Sequence, residues 1–552
     1  MNIIDRGDYF EVRFNYNEKI VKAIKNIQGR AWDNYRKAWL IPASQKARLD
    51  KFYERWATTS LCMAPMNVGE IPDLPFLERE IRLERPMFPF QERGVAYSLQ
   101  HQRVIVGDKP GLGKTQQAIA TIVAANAFPC IIVCPNTLKL NWKQEWKTVA
   151  GKRSVILDDR NKSKWWRYYE EGIADVFIVN YESVKKFFVH SIVKKPTENL
   201  MVKHVRYRQE AKKFKAAVID EAHRCKDTST QTAKFVIGLT IHLEWVLAMT
   251  GTPIVNKTED LAALLFMIGR MREFGGLKFF QERYCKTNTF LPELQYKLKT
   301  KCFYQRRKEE VLPDLPAKIR QKMLCDITTR EEYRVALADL ARYLKEYQQK
   351  TDAEIRKSLR GEIMVRIGLC KGISARGKLA ETCEQIDEII GNGQKVIVFI
   401  FQRRVLDMLV EQYPHAVTIS GADSEKERQQ NVHDFQNHPN CNIIICNIKA
   451  GGVGITLTAA SRIIMVELPW HAADADQCED RAHRIGQANQ LQVSYMIGHK
   501  TIDEVIYQII EEKRALGDAV TGGEDSTQEE LIDRISDSLF RHQMETGPEL
   551  DL

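Results

Sequence analysis

Short apolar runs separated by helical stretches occur in two series along this chain, and no other feature constrains the fold as tightly. The first series is Val104–Val106, Ile131–Val133, Val176–Val179, Ala217–Ile219 and Trp245–Leu247. The second begins after residue 390, with Val396–Phe399, Ala416–Ile419, Ile443–Ile445, Ile463–Val466 and Val493–Ile497. Strands without polar alternation need cover on both faces, and intervening helices provide it, so each series predicts a parallel sheet inside an α/β lobe.

The remaining segments are read around these lobes. Tyr9–Phe14 alternates like a half-buried strand, Ile20, Val21, Ile24 and Ile27 share a helical face, Lys37–Pro42 reads as a second strand, and a polar helix follows from Ser44. The expected organisation is a small α+β unit over 1–60 and a linker over 61–82. A first lobe over 83–315 follows, with a helical insertion from about 257 and further insertion over 316–375. A second lobe covers 376–515, and an acidic, loosely held tail covers 516–552, with a short helix expected from Gln528 to Phe540.

Charge and cysteine usage narrow the class only modestly. The net charge is +10, from 82 basic and 72 acidic residues, an excess that solvated surfaces also carry. Basic residues cluster between Ser183 and Lys215, with Phe187, Phe188 and Tyr207 interleaved. Salt-dependent phosphate contact and a solvated insertion both fit that stretch. Twelve cysteines include no Cys-x-x-Cys pair, which points to buried thiols in a reducing compartment. The N-terminus lacks a secretory pattern, and no apolar run is long enough to span a bilayer. A soluble, intracellular, monomeric protein is expected.

Chemistry concentrates at a few turns. Asp108-Lys109-Pro110-Gly111-Leu112-Gly113-Lys114-Thr115 follows the strand ending at Val106 and opens a helix, the context that a phosphate-binding loop requires. Gly111 and Gly113 let backbone N–H groups face phosphate oxygens, Lys114 neutralises the β- and γ-phosphates, and the Thr115 hydroxyl suits Mg²⁺. Asp108 replaces the usual first glycine, and a plain turn is the alternative. Asp220 and Glu221 end another apolar strand, where ligands meet an open α/β sheet. Asp220 is the candidate metal residue and Glu221 the candidate that polarises the attacking water. Gln91 is a candidate for the adenine edge or an ordinary surface amide. Thr250, Thr252, Pro253 and Asn256 lie where nucleotide state could pass to the rest of the lobe. In the second series, Lys449 to Thr458 is dense in glycine, with Gly454 a candidate for close approach to phosphate. Arg481 and Arg484, three apart, are expected on one helix face. From across a cleft they would stabilise charge on a transferring phosphoryl group, with Gln477 on the same side.

Taken together, Asp220-Glu221-Ala222-His223, the Lys449–Thr458 loop, Glu467-Leu468-Pro469-Trp470 and Gln477 to Gln487 resemble the Swi/Snf-type ATPases of helicase superfamily two. Asn141-Trp142 and Arg306-Arg307-Lys308, leading into Leu315-Pro316-Ala317-Lys318, fit the same family over residues 83 to 510. The resemblance implies two tandem RecA-like lobes that hydrolyse ATP with Mg²⁺ and move along double-stranded DNA. It implies Asn141, Trp142, Thr456 and Trp470 as DNA-side positions, although Trp470 also reads as a packing aromatic. Lys109 and Pro110 depart from the family, which usually has an acidic residue and a methionine there. The N-terminal unit, with Trp32 and Trp39, is similar to the HARP module of annealing helicases. That similarity implies branched DNA as a partner and strand annealing or fork remodelling as the outcome. The acidic tail is a candidate protein-binding segment.

Overall fold

The computed structural model describes residues 2–14, 18–34, 36–56, 68–162, 164–251, 258–286, 288–349, 353–451, 454–516 and 531–538. Thr252, Pro253 and Asn256, Gly452 and Val453 of the glycine-dense loop, and most of the acidic tail lie outside these residues.

Both apolar series form parallel sheets. The first lobe orders its strands as Phe303–Tyr304, Arg103–Val106, Trp245–Met249, Ala216–Asp220, Cys130–Cys134, Val176–Asn180 and Ser154–Ile156. Ile105, Ile131 and Ile219 enter the core on one face, while Val104, Ile132 and Val218 enter the core on the other. Two dry faces explain why these strands carry no polar alternation. The second lobe orders Lys318–Cys325, Leu491–Gly498, Arg462–Met465, Val396–Ile400, Ile443–Asn447 and Val417–Ile419. Its strands also pair in parallel, and it too has a core on each face.

The strand Lys318–Cys325 corrects the expectation that 316–375 is a helical insertion, because it joins the sheet of the second lobe. It is an edge strand, largely exposed and rich in basic side chains, the composition that keeps a sheet edge from pairing further. The helices Arg330–Gln349 and Ala353–Gly377 do lie in this region, and Leu337, Leu340, Ile363 and Ile367 bury against the second lobe.

The N-terminal unit is a four-stranded antiparallel sheet ordered Asn2–Asp5, Tyr9–Arg13, Ala38–Pro42 and Ala31–Asp33. Helices Glu18–Ile24 and Lys46–Trp56 close its small core around Val12, Ile24, Ile41 and Phe52. Near the C-terminus, residues 531–538 are helical and bury Leu531, Ile532 and Ile535 in the second lobe, with Gln348 Nε2 donating to Ser536 Oγ at 2.7 Å. This part of the expected loose tail is packed. Among the described residues, no helix is long and apolar enough to cross a membrane.

Candidate active site at the seam between the lobes

The phosphate loop joins Arg103–Val106 to the helix Lys114–Ala125. Gly111 has φ +88°, a left-handed backbone that side-chain-bearing residues avoid. Lys114 Nζ donates to the Asp108 carbonyl at 2.6 Å. Burial pushes this ammonium below its ordinary pKa, against the pull of Glu221, Asp108 and Asp220. Thr115 is half-buried at the first turn of the helix.

Asp108 stands where the general motif has glycine because its carboxylate anchors the loop. Asp108 Oδ1 accepts from the backbone N and Nε of Arg306, each at 3.0 Å, and Oδ2 accepts from Gln117 Nε2 at 2.9 Å. Gln91 corrects the expectation of an adenine reader. Its Oε1 accepts from Phe88 N at 3.0 Å and its Nε2 donates to Leu112 O at 3.1 Å. Buried beneath the loop, the amide caps its own helix and braces the phosphate loop.

Asp220 ends its strand with both oxygens engaged, Oδ2 by Trp142 Nε1 at 2.8 Å and Oδ1 by the Glu221 N–H at 3.0 Å. Burial, and then the neighbouring Glu221, push its pKa upward. A cation beside the pair would reverse that cause. Trp142 is fully buried, which corrects its reading as a DNA-side residue: it positions a carboxylate. Glu221 turns the chain sharply at φ +52°. His223 Nδ1 lies 3.3 Å from Glu221 Oε2 and 3.1 Å from Thr250 Oγ1. The hydroxyl read as a relay therefore reaches Glu221 through one imidazole, whose pKa burial pushes below its ordinary value against the pull of Glu221.

The second lobe faces this loop. A Cβ placed on Gly111 would lie 2.9 Å from the Cβ of Arg484. Arg484 Nη1 and Arg481 Nη1 reach the Ile455 carbonyl at 3.2 and 3.4 Å, and Arg481 Nε donates to the Gln477 carbonyl at 3.1 Å. The helix Ala472–Glu479 ends before either arginine, so they project from a turn and not from the expected helix face. Burial lowers both guanidinium pKa values; Arg481 lowers Arg484 further, while Glu221 holds Arg481 up. A buried and a half-buried guanidinium this close together beside a phosphate loop suit a polyanion.

Other candidates fall elsewhere. Gly454 lies against lobe one, where a Cβ would collide with Leu138, so its close approach is to a side chain of the opposite lobe. That corrects its assignment to phosphate. Trp470 packs on the second core under Lys371 Nζ, 3.8 Å from its ring. Asn141 is half-buried, one residue after Leu140, whose N–H donates across the seam to Glu425 Oε1 at 3.0 Å. Thr456 is exposed. In the basic stretch, Phe187 and Phe188 are buried and Tyr207 donates to Phe235 O at 2.7 Å, so these rings are core and not a stacking platform. Sequence reasoning missed Asp108–Arg306 and Trp142–Asp220 as braces; a charged residue inside a phosphate loop was the one available signal for the first.

Comparison with known proteins identifies the family. The family model for the SNF2-related domain matches residues 88–367, and the helicase conserved C-terminal domain matches 378–486. A Caenorhabditis elegans homolog of SWI/SNF-related matrix-associated actin-dependent regulator of chromatin subfamily A-like protein 1 is 25% identical over 92% of this chain and 74% of its own. The human DNA annealing helicase and endonuclease ZRANB3 is 26% identical over 82% of this chain and 42% of its own. An uncharacterized ATP-dependent helicase of Mycoplasma pneumoniae is 30% identical over 80% and 43%. The chain spans only 65% and 54% of the corresponding Drosophila melanogaster and Xenopus tropicalis proteins. Among solved structures, the Sulfolobus solfataricus SWI2/SNF2 ATPase core in complex with dsDNA is 24% identical, covering 85% of this chain and 99% of its own, with a TM-score of 0.37. By its family match, the chain belongs to the SNF2-related ATPases of helicase superfamily two.

Proposed function

We propose that this protein is an ATP-driven double-stranded DNA translocase that remodels DNA or protein–DNA structures, with strand annealing or fork remodelling as the outcome on branched DNA. One observation carries the reading: across the seam, Arg484 of one lobe packs on Gly111 of the other lobe's phosphate loop, while Arg481 lies near enough to Glu221 and Asp220 to feel their charge. ATP held there is gripped from both sides, so turnover and lobe movement are one event. The relatives named for chromatin regulation and DNA annealing support DNA as the track.

In hydrolysis, water attacks the γ-phosphorus, the bond from γ-phosphorus to the bridging oxygen breaks, and ADP leaves with that electron pair. Glu221 orients the water and draws on its proton. Lys114 and the loop N–H groups hold the β- and γ-phosphates, while Arg481 and Arg484 balance the charge that spreads over the transferring group. Thr115 and Asp220 present hard oxygen donors where a Mg²⁺ ion would sit, and such an ion would neutralise phosphate charge. Asn141, Thr456 and Trp470 remain candidates for the DNA side. The free cysteines among the described residues support an intracellular location.

Phosphate release measured with duplex, forked and single-stranded DNA tests the proposal. Duplex or forked DNA is expected to stimulate the rate, and Glu221→Gln to bind ATP with almost no turnover. A wild-type rate indifferent to DNA contradicts the motor; efficient displacement of a labelled strand from plain duplex favours a strand-separating helicase instead.

A further inference from the structure

The connector between the lobes leaves the first sheet at Tyr304 and enters the second at Lys318. Both of its ends are fastened at the seam. Arg306 is locked on Asp108 of the phosphate loop. Two residues on, Lys308 buries its side chain to 6% exposure. Its Nζ donates to Asp480 Oδ1 at 2.6 Å and to the His483 carbonyl at 2.5 Å, and both partners belong to the turn that carries Arg481 and Arg484. The stem of the same side chain runs past the phosphate loop: a Cβ on Gly111 would lie 3.5 Å from Lys308 Cε. Toward the far end of the connector, His483 Nε2 is 3.0 Å from the Pro316 carbonyl.

A buried ammonium is expensive to desolvate and persists where geometry and charge compensate it. Here the compensation comes from the arginine turn. Lys318 is a weaker second contact to Asp480, at 3.8 Å, because its nearer partner is Glu479 at 2.6 Å. We propose that Lys308 is a positioning residue for hydrolysis: it clamps the arginine turn of the second lobe onto the phosphate loop of the first, through a connector that Asp108 and Arg306 hold in place. Lys308 makes no bond to phosphate and moves no proton in this role; it acts through Arg481 and Arg484. The inference rests on the reading of the seam as an ATP-hydrolysing site.

Steady-state ATP hydrolysis by the full chain, with saturating duplex DNA, tests the clamp in Lys308→Met, Lys308→Arg, Asp480→Asn and the double variant Lys308→Met/Asp480→Asn, each checked by thermal melting. Loss of alignment is expected to lower kcat about tenfold to a hundredfold in Lys308→Met, with KM for ATP within about twofold. Lys308→Arg is expected to recover much of the rate, and the double variant to be no slower than the worse single one, because both remove one shared contact. If Lys308→Met does not fold, the Asp480→Asn loss and the Lys308→Arg rate carry the same prediction. The clamp is overturned by an unchanged kcat, by a rise in KM alone, or by losses that multiply in the double variant. A wild-type chain that hydrolyses no ATP under any DNA condition would instead overturn the underlying reading of the seam.

Discussion

At the scale of single residues, Trp142 shows how a side chain can sit in a DNA-associated motif and serve the other side of the lobe. Its indole N–H is a donor to Asp220, and the ring is sealed in the core. Replacing it with phenylalanine keeps most of the apolar volume and removes the donor. Trp142→Phe is therefore expected to lose about 1–3 kcal/mol of stability, the range for leaving a buried hydrogen-bond partner unsatisfied, and to need more Mg²⁺ for half-maximal hydrolysis. A DNA contact would behave differently, weakening DNA binding and altering its salt dependence. Melting, a Mg²⁺ titration and a DNA-binding curve separate the two. The sequence placed Trp142 beside Asn141 but could not say which way the indole points, because a buried and an exposed tryptophan on a helix read alike when the neighbours are Asn141 and Lys143. The position of Glu221, by contrast, was legible, since an apolar run closing on two acids marks where a buried strand reaches the end of its sheet.

At the scale of elements, the arginine turn is anchored by the residue before it. Glu479 ends the helix Ala472–Glu479 and is fully buried. Arg320 Nε and Tyr495 OH donate to its Oε1 at 2.8 and 2.6 Å, Lys318 pairs with Oε2 at 2.6 Å, and Arg514 Nη2 reaches Oε1 at 3.0 Å. Burial alone would raise this carboxyl; Lys318, Arg320 and Arg514 outweigh it and hold the pKa well below the usual carboxylate range. A depressed folded pKa contributes stability that is present above the unfolded value, near 4.3 for glutamate, and lost as pH falls through and below it. The stability gap between wild type and Glu479→Gln is thus expected to be constant at neutral pH and to shrink below about pH 4; denaturant unfolding at several pH values measures it. Two of the residues that hold Glu479, Lys318 and Arg320, lie on the edge strand Lys318–Cys325. That strand escaped the apolar signal because one face spends its charges on ion pairs and the other reaches the core only near its end, at Met323 and Cys325. The central strands were legible for the opposite reason: dry on both faces, they leave no room for polar residues. The end of the Ala472–Glu479 helix was not legible, because Arg481 and Arg484 at a three-residue spacing fit a helix and a turn equally well.

At the scale of the whole molecule, two lobes joined by the connector 305–317 meet at one seam. Repetition of the strand pattern made the lobes legible, and the phosphate loop and the Arg481–Arg484 segment marked two turns that the structure brings face to face. How the lobes meet was not legible, because Gly454 against Leu138, Glu425 against Leu140 and Lys308 against Asp480 join residues 172 or more positions apart. The central claim is that hydrolysis needs both sides of that seam. Single-turnover hydrolysis at saturating ATP and duplex DNA, measured for Arg481→Ala and Arg484→Ala beside a direct ATP-binding titration, tests it most directly. The account predicts rates lowered by about 10³ to 10⁵ with nucleotide still bound through the phosphate loop. Hydrolysis at the wild-type rate in either variant would contradict it.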